Sequence, residues 1–198
     1  MNLNTIMFKK KHSIFEKLSF SQYDKLDPEK KEEVDYILEN FLKPCEYLKV
    51  KKHIIKPKKN NIWLYLYEEI IDLRTYAANG DIENLVRRYN GYEGKKDLDV
   101  YNYLGVVKHI TDQLKQIMEA EKRLEGKKDR KVWEKAGIDR LNQFDNYLGV
   151  LFATDNILEE EAILKLPFHQ VFRRNLFNKV WGEVQEEFMN LKNKNDKK

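Results

Sequence analysis

One cysteine, four prolines and eight glycines in 198 residues exclude several architectures at once. Cys45 has no partner in the chain, so a disulfide-stapled fold is ruled out and a reducing compartment is expected. Too few glycines and prolines are present for a β-sandwich, which needs a turn about every ten residues. Long apolar stretches are missing too. The longest run, Ile62 to Tyr67, has six residues against the roughly 20 that span a bilayer. Met1 to Leu18 carries Lys9, Lys10 and Lys11 where a secretory leader would need an apolar stretch. A soluble, cytoplasmic protein with no membrane partner is expected. Charge of one sign is scarce as well: the net +4 comes from 37 Lys/Arg against 33 Asp/Glu, short of the excess of a dedicated nucleic-acid binder.

What is present favours helices around a core. Hydrophobic residues make up 41% of the chain, with three tryptophans, eleven tyrosines and ten phenylalanines to give the core volume. Charged residues at 35% must occupy most exposed positions. The length suits one helical domain or two small halves sharing a core. No repeat and no flexible linker divides it, so a single domain over 1–198 is expected.

Residues 1–26 are weakly patterned, with Ser13 a possible cap for a short helix to Leu18. Asp27-Pro28 is a helix start, an N-cap followed by proline at the first helical position. Val34, Ile37, Leu38, Phe41 and Leu42 then form one apolar stripe, and Pro44 stops the helix. Tyr47 to Ile55 reads as extended, and 45–67 is the only region where a short strand pair is allowed. A helix is predicted from Ile62 to Ala78 through Trp63, Leu66, Ile70, Leu73 and Ala77. Asn79-Gly80 closes it, Asp81 caps another through Tyr89, and Asn90-Gly91 ends that one. Ala77-Ala78-Asn79-Gly80-Asp81 resembles the inter-helix turn of ankyrin repeats; it occurs once, as shared capping chemistry.

Asp97 opens the longest predicted helix, to about Leu124. Val100, Tyr103, Val107, Ile110, Leu114, Ile117 and Leu124 keep heptad spacing, broken at Glu121. Such a face serves packing within a domain or self-association. Asp129 caps a further helix with Trp133, Ala136, Leu141 and Phe144 on one side, and Gly137 is a possible break in it. Residues 146–153 are ambiguous. Thr154 or Asp155 starts a short acidic helix through Leu164. Pro167, at a first helical position, restarts the chain as a last helix carrying Phe168, Phe172, Leu176, Val180, Val184, Phe188 and Leu191, flanked by Phe177 and Trp181. The tail 192–198 is expected to fray. The sum is an all-α fold, an irregular bundle of about six or seven helices.

Chemistry is harder to find. None of His12, His53, His109 and His169 stands in a Glu-x-x-His or His-Glu-x-x-His setting, and no cysteine pair offers a zinc site. Cys45 lacks a nearby histidine in sequence to activate it. Glu68 and Asp72 share a helical face, but a hard-cation cage needs more oxygens, and a solvated acidic face explains them. No glycine-rich phosphate loop is present. We therefore expect no catalytic residues, no metal and no cofactor. A helical-bundle enzyme whose site is assembled across helices remains an alternative, marked by any convergence of carboxylates on His109.

Two surfaces remain. Lys51, Lys52, Lys58 and Lys59 lie near Tyr47 and Trp63, and Arg173-Arg174 adds to them, the mixture that single-strand binding uses. Acidic residues one turn away from nearly every one of these clusters favour an ordinary solvated surface over nucleic-acid or acidic-lipid contact. The last helix is aromatic beyond the needs of one edge. Its proximal half, Phe168 to Leu176, is expected to dock on the parent domain. Phe177, Trp181, Phe188 and Leu191 are then candidates for contact with a partner protein or a second copy.

From Ala136-Gly137-Ile138-Asp139-Arg140-Leu141 through Leu166-Pro167-Phe168 to Val171-Phe172, roughly the last sixty residues resemble the tail-assembly chaperones of tailed phages. The resemblance implies a non-enzymatic protein that holds an aggregation-prone structural protein or takes a place in the particle, in the host cytoplasm or the virion. The reading is a helical protein–protein contact protein, with a nucleic-acid-binding helical module as the first alternative.

Overall fold

The computed structural model describes residues 18–95, 98–124, 150 and 153–195, and of 157 and 187–195 only the backbone. Within them the fold is mostly helical, as expected, with one short two-stranded sheet inside 45–67. The helices are α1 (Phe20–Tyr23), α2 (Pro28–Phe41), α3 (Tyr67–Ala78), α4 (Ile82–Asn90), α5 (Val100–Lys122), α6 (Ile157–Leu164) and α7 (Phe168–Asn195). Strands β1 (Leu48–Val50) and β2 (His53–Ile55) form the sheet. The caps expected at Ser13 and Asp97, the helix from Asp129, the Ala136–Leu141 motif and the end of the tail lie outside the described residues. Contacts cluster into two units, 1–60 with 72–115 and 61–71 with 116–198, so α3 and α5 each contribute to both.

In the first unit, helical structure begins earlier than the first firm element the sequence pattern marks at Asp27-Pro28. Ser19 and Gln22 form a reciprocal capping box around α1. Phe20 N–H donates to Leu98 O at 3.1 Å and Val100 N–H to Leu18 O at 2.7 Å, a pairing invisible to local pattern. Asp27 caps α2 by accepting the Lys30 amide, with Pro28 in the first turn. The helix buries Val34 and Ile37 but turns Phe41 outward, so the apolar stripe is narrower than its spacing implies. It stops at Phe41 because Tyr101 intervenes. Its hydroxyl donates to Phe41 O at 2.7 Å and accepts from Lys43 N–H at 3.3 Å, satisfying groups that would otherwise extend the helix.

The α3–α4 turn follows its caps. Gly80 takes the left-handed conformation, Asp81 accepts the Asn84 amide, and left-handed Gly91 closes α4. Leu85, Val86 and Tyr89 of α4 are buried, and Arg88 pairs with Asp72 at 2.9 Å. Helix α5 is capped by Asp99, whose carboxylate accepts the Asn102 amide at 2.8 Å. Val100, Tyr103, Ile110 and Leu114 of the heptad face are buried, while Val107 is half-buried. Asn102, Gly105 and Val106 are buried as well, so the covered arc is wider than a heptad seam.

In the second unit the helix predicted from Ile62 is interrupted. Asn61 caps a 3₁₀ turn at Ile62–Leu64, and Tyr65 is extended. Leu66 bridges to Pro167, with Phe168 N–H donating to Tyr65 O at 2.8 Å and Tyr67 N–H to Leu166 O at 2.9 Å. That pairing withdraws Tyr65 and Leu66 from any helix, and α3 begins at Tyr67. Trp63 packs against Phe168 and Phe172 at 5.4 and 5.3 Å between ring centres, and Tyr67 stacks on Phe168. Helix α6 is capped by Asn156, one or two residues past the expected Thr154 or Asp155; Thr154 instead accepts the Asn156 amide. Pro167 precedes α7 by one residue and accepts the Gln170 amide. The helix extends to Asn195, into the tail expected to fray.

Burial raises the hydroxyls of Tyr89 and Tyr103 to about 12. A raised value favours the neutral form in the folded state, so this contribution is complete below the ordinary tyrosine value of about 10 and fades as pH climbs toward 12. Denaturant midpoints measured across that window should fall, and Tyr103→Phe should flatten part of the fall. Glycines give a sharper test. A Cβ on Gly105 would lie 2.8 Å from Lys43 O and 2.9 Å from Cys45 Sγ, whereas one on Gly182 meets nothing within 4 Å. Gly105→Ala should therefore cost about 1–3 kcal/mol despite alanine's better helix propensity. Gly182→Ala should stabilise by up to about 1 kcal/mol. Equal signs for the two in thermal melts would contradict this packing.

Candidate functional site

Helix α7 presents its residues in an order that needs explanation. Its first two turns dock: Phe168 and Val171 are buried, Phe172 is half-buried, and His169 bonds through Nδ1 to Trp63 O at 3.2 Å. Beyond Phe172 the same side of the helix continues with Asn175, Asn178 and Lys179, all polar and half-buried. Lys179 donates to the Arg123 carbonyl. The opposite side carries Leu176, Phe177, Val180, Trp181 and Val184, each between 42% and 56% exposed. An ordinary surface helix has the reverse arrangement. Leu176, expected to dock with the proximal half, belongs instead to the outward face, because the covered side continues through Asn175, Asn178 and Lys179. Arg174 lies over the Phe177 ring at 5.8 Å, and Arg173 and Arg174 are exposed. The side chains of Phe188 and Leu191 lie outside the described residues.

The basic candidates are distributed between units. Lys51 and Lys52 form the β1–β2 turn and Lys58 and Lys59 follow β2, all exposed in the first unit. Arg173 and Arg174 belong to the second. The hairpin is held from behind. Asn102 of α5, itself buried, accepts the Lys49 amide at 2.6 Å and donates to Tyr47 O at 3.2 Å, satisfying two groups on the outer edge of the hairpin. Lys58 N–H donates to Tyr89 O at 3.0 Å, and Cys45 N–H to Gly105 O at 2.9 Å. Sequence reasoning missed Asn102, whose only signal is a polar residue between heptad positions.

Other candidates have structural partners. Asp72 pairs with Arg88, Glu69 accepts the Leu66 amide at 3.0 Å, and His109 packs beside Tyr89. Among the described residues no cluster of three His, Cys, Asp or Glu is placed to hold a metal ion. No described helix is long and apolar enough to cross a membrane. No family model, curated protein or solved structure matches the chain.

The Asn102 carboxamide yields a direct expectation. Asn102→Ala removes both partners from the outer edge of the hairpin and should cost about 1–3 kcal/mol, the penalty of buried groups left unsatisfied. Amide exchange at Lys49 should accelerate more than exchange along α5. Unchanged protection at Lys49 would mean that the edge finds other partners.

Proposed function

We propose that the chain is a non-catalytic contact protein that works through the outward face of α7, as an assembly factor, a chaperone or a component of a larger particle. The observation that carries this reading is the reversal along α7. The half-buried positions past Phe172 are the polar Asn175, Asn178 and Lys179, while the apolar residues from Leu176 to Val184 face solvent. Covering the exposed parts of Phe177 and Trp181 is worth on the order of 5 kcal/mol at about 25 cal/mol per Å², before the costs of association. A contiguous apolar strip of this kind on a charged protein marks a contact site. Two large aromatics near its middle are where the energy of such a contact concentrates. The resemblance of the Leu166-Pro167-Phe168 break and following helix to phage tail-assembly chaperones points the same way.

The double variant Phe177→Ala with Trp181→Ala tests it. Light scattering of the purified protein, alone and after pull-down from its native lysate, should show association lost, while far-UV helicity and melting temperature stay near wild type. Trp181→Ala with Phe188→Ala should act in the same direction. Unfolding of the double variant would place these side chains in the core; unchanged association would place the contact elsewhere.

A further inference from the structure

We propose that the outward face of the β1–β2 hairpin binds single-stranded nucleic acid through its phosphates, independently of α7. Charge is the first reason. Residues 46–59 hold six lysines and a single carboxylate, Glu46, whereas the whole chain nets only +4. The positive excess of the protein is thus concentrated in this one segment, and the remainder is close to neutral. The modest overall charge hides a local field of the kind that attracts a polyanion.

The strand register then sorts the residues by side. Leu48 pairs with Ile55, Lys49 with Ile54 and Val50 with His53. Alternation along a strand sends Leu48, which is fully buried, inward. Lys49 and Ile54 point the other way, and Tyr47 and Lys56 fall on that same side one step further along. Lys49, Lys56 and the turn lysines are exposed, and between them Tyr47 and Ile54 are 40% and 62% exposed. Glu46 beside it raises the Tyr47 hydroxyl above its ordinary value, so the phenol stays neutral and its ring is open to contact. Lysines around an open aromatic ring form a stacking platform with an electrostatic rim. Asn102 and the Lys58–Tyr89 bond fix the backbone beneath, so the face is presented on a held scaffold.

The turn supplies an independent observation. Lys51 has φ +54°, the one non-glycine residue with positive φ among those described. Glycine adopts that conformation without strain, and asparagine with little; a lysine there is unfavourable. A strained residue at the tip of a charged hairpin is the pattern expected when side-chain chemistry is kept at the expense of conformation. The chemistry also chooses among polyanions. A hairpin entering a lipid surface would place its apolar residues at the tip, where Lys51 and Lys52 stand. Lysines act as point charges that can meet backbone phosphates, and the exposed ring of Tyr47 among them adds a surface on which a base can stack.

Fluorescence anisotropy of the full chain with a labelled oligothymidylate, titrated over a salt series around 150 mM, tests the proposal. Wild type should bind with log affinity falling linearly in log salt, by about 0.7 per phosphate contact. Lys51→Glu with Lys52→Glu should lose at least tenfold and flatten that slope, and Tyr47→Ala should weaken binding about fivefold or more. Arg173→Glu with Arg174→Glu, in the other unit, should bind as wild type. Lys51→Gly is the decisive variant: its melting temperature should equal or exceed wild type while its affinity falls several-fold. Binding that survives the Lys51/Lys52 reversal overturns the proposal, as does a Lys51→Gly protein that melts earlier and binds normally. A lack of salt-dependent binding also overturns it. So does tighter, Lys51-dependent binding to phosphatidylserine vesicles than to the oligonucleotide, which would reassign the face to lipid.

Discussion

Chain segment 41–49 passes so close to α5 that the helix must give up a side chain and lend two others to let it by. Gly105 supplies the gap, with Lys43 O and Cys45 Sγ where a Cβ would stand. Tyr101 ends α2 from the side, and Asn102 bonds the Lys49 amide and the Tyr47 carbonyl on the outer edge of the hairpin. An unpaired strand edge over a helix would leave buried polar groups unsatisfied. The position of the hairpin therefore depends on three nearly consecutive residues of one helix. Their apolar neighbours Val100, Tyr103 and Val106 hold the rest of the first unit. Packing and hydrogen bonding are inseparable here, because the same close approach that excludes a Cβ brings the amide of Cys45 onto Gly105 O.

The second unit rests on a different device, an aromatic cluster around a two-bond bridge. Phe168 is the link. Its amide closes the pairing with Tyr65, and its ring lies between Trp63 and Tyr67. Proline at 167 prevents the acidic helix α6 from running on into α7, so α7 starts afresh against this cluster. Past Phe172 the docked side changes character. The half-buried positions become Asn175, Asn178 and Lys179, and the apolar residues emerge opposite. In the sequence this shows as apolar residues spaced by four, a row that drifts around a helix of 3.6 residues per turn.

What the sequence makes legible is what local chemistry decides. Asp27-Pro28, Gly80-Asp81 and Gly91 mark their helix ends correctly, since a cap needs only its own first or last turn. The extended pair within 47–55 was also visible, from a weak helical pattern between Pro44 and Pro57. What failed depends on distant residues. Tyr65 and Leu66 leave the helical path because of Leu166 to Phe168, a hundred residues away, and a three-and-four spacing through Trp63, Leu66 and Ile70 gives no warning. Phe41 and Leu176 fit an apolar stripe by position and face outward in the fold, because periodicity gives the side of a helix but not where its partner ends. At the basic site the lysines were legible as a cluster. The left-handed Lys51 and the buried Asn102 were not, because neither residue type announces a turn conformation or a strand-edge bond.

The departures from the locally most stable choice are concentrated at exposed positions. Lys51 stands where glycine would be relaxed, and Phe177 and Trp181 stand where a charged residue would keep α7 soluble at no cost in packing. A sequence shaped for stability alone would have no reason to keep any of the three. Gly105 is the contrasting case: its substitution is opposed by Lys43 and Cys45 whatever the protein does, so its identity follows from folding. Exposed residues that cost stability are accounted for, on the readings proposed above, by what they meet in solution. That asymmetry separates the two surfaces from the rest of the chain's aromatics and lysines. Tyr103 and Phe168 are fixed by the core around them, and Lys179 is fixed by the Arg123 carbonyl. Among the described residues, nothing within its own unit fixes the hairpin tip, and only Arg174 over the Phe177 ring touches the outer side of α7; recognition is the constraint we propose for both.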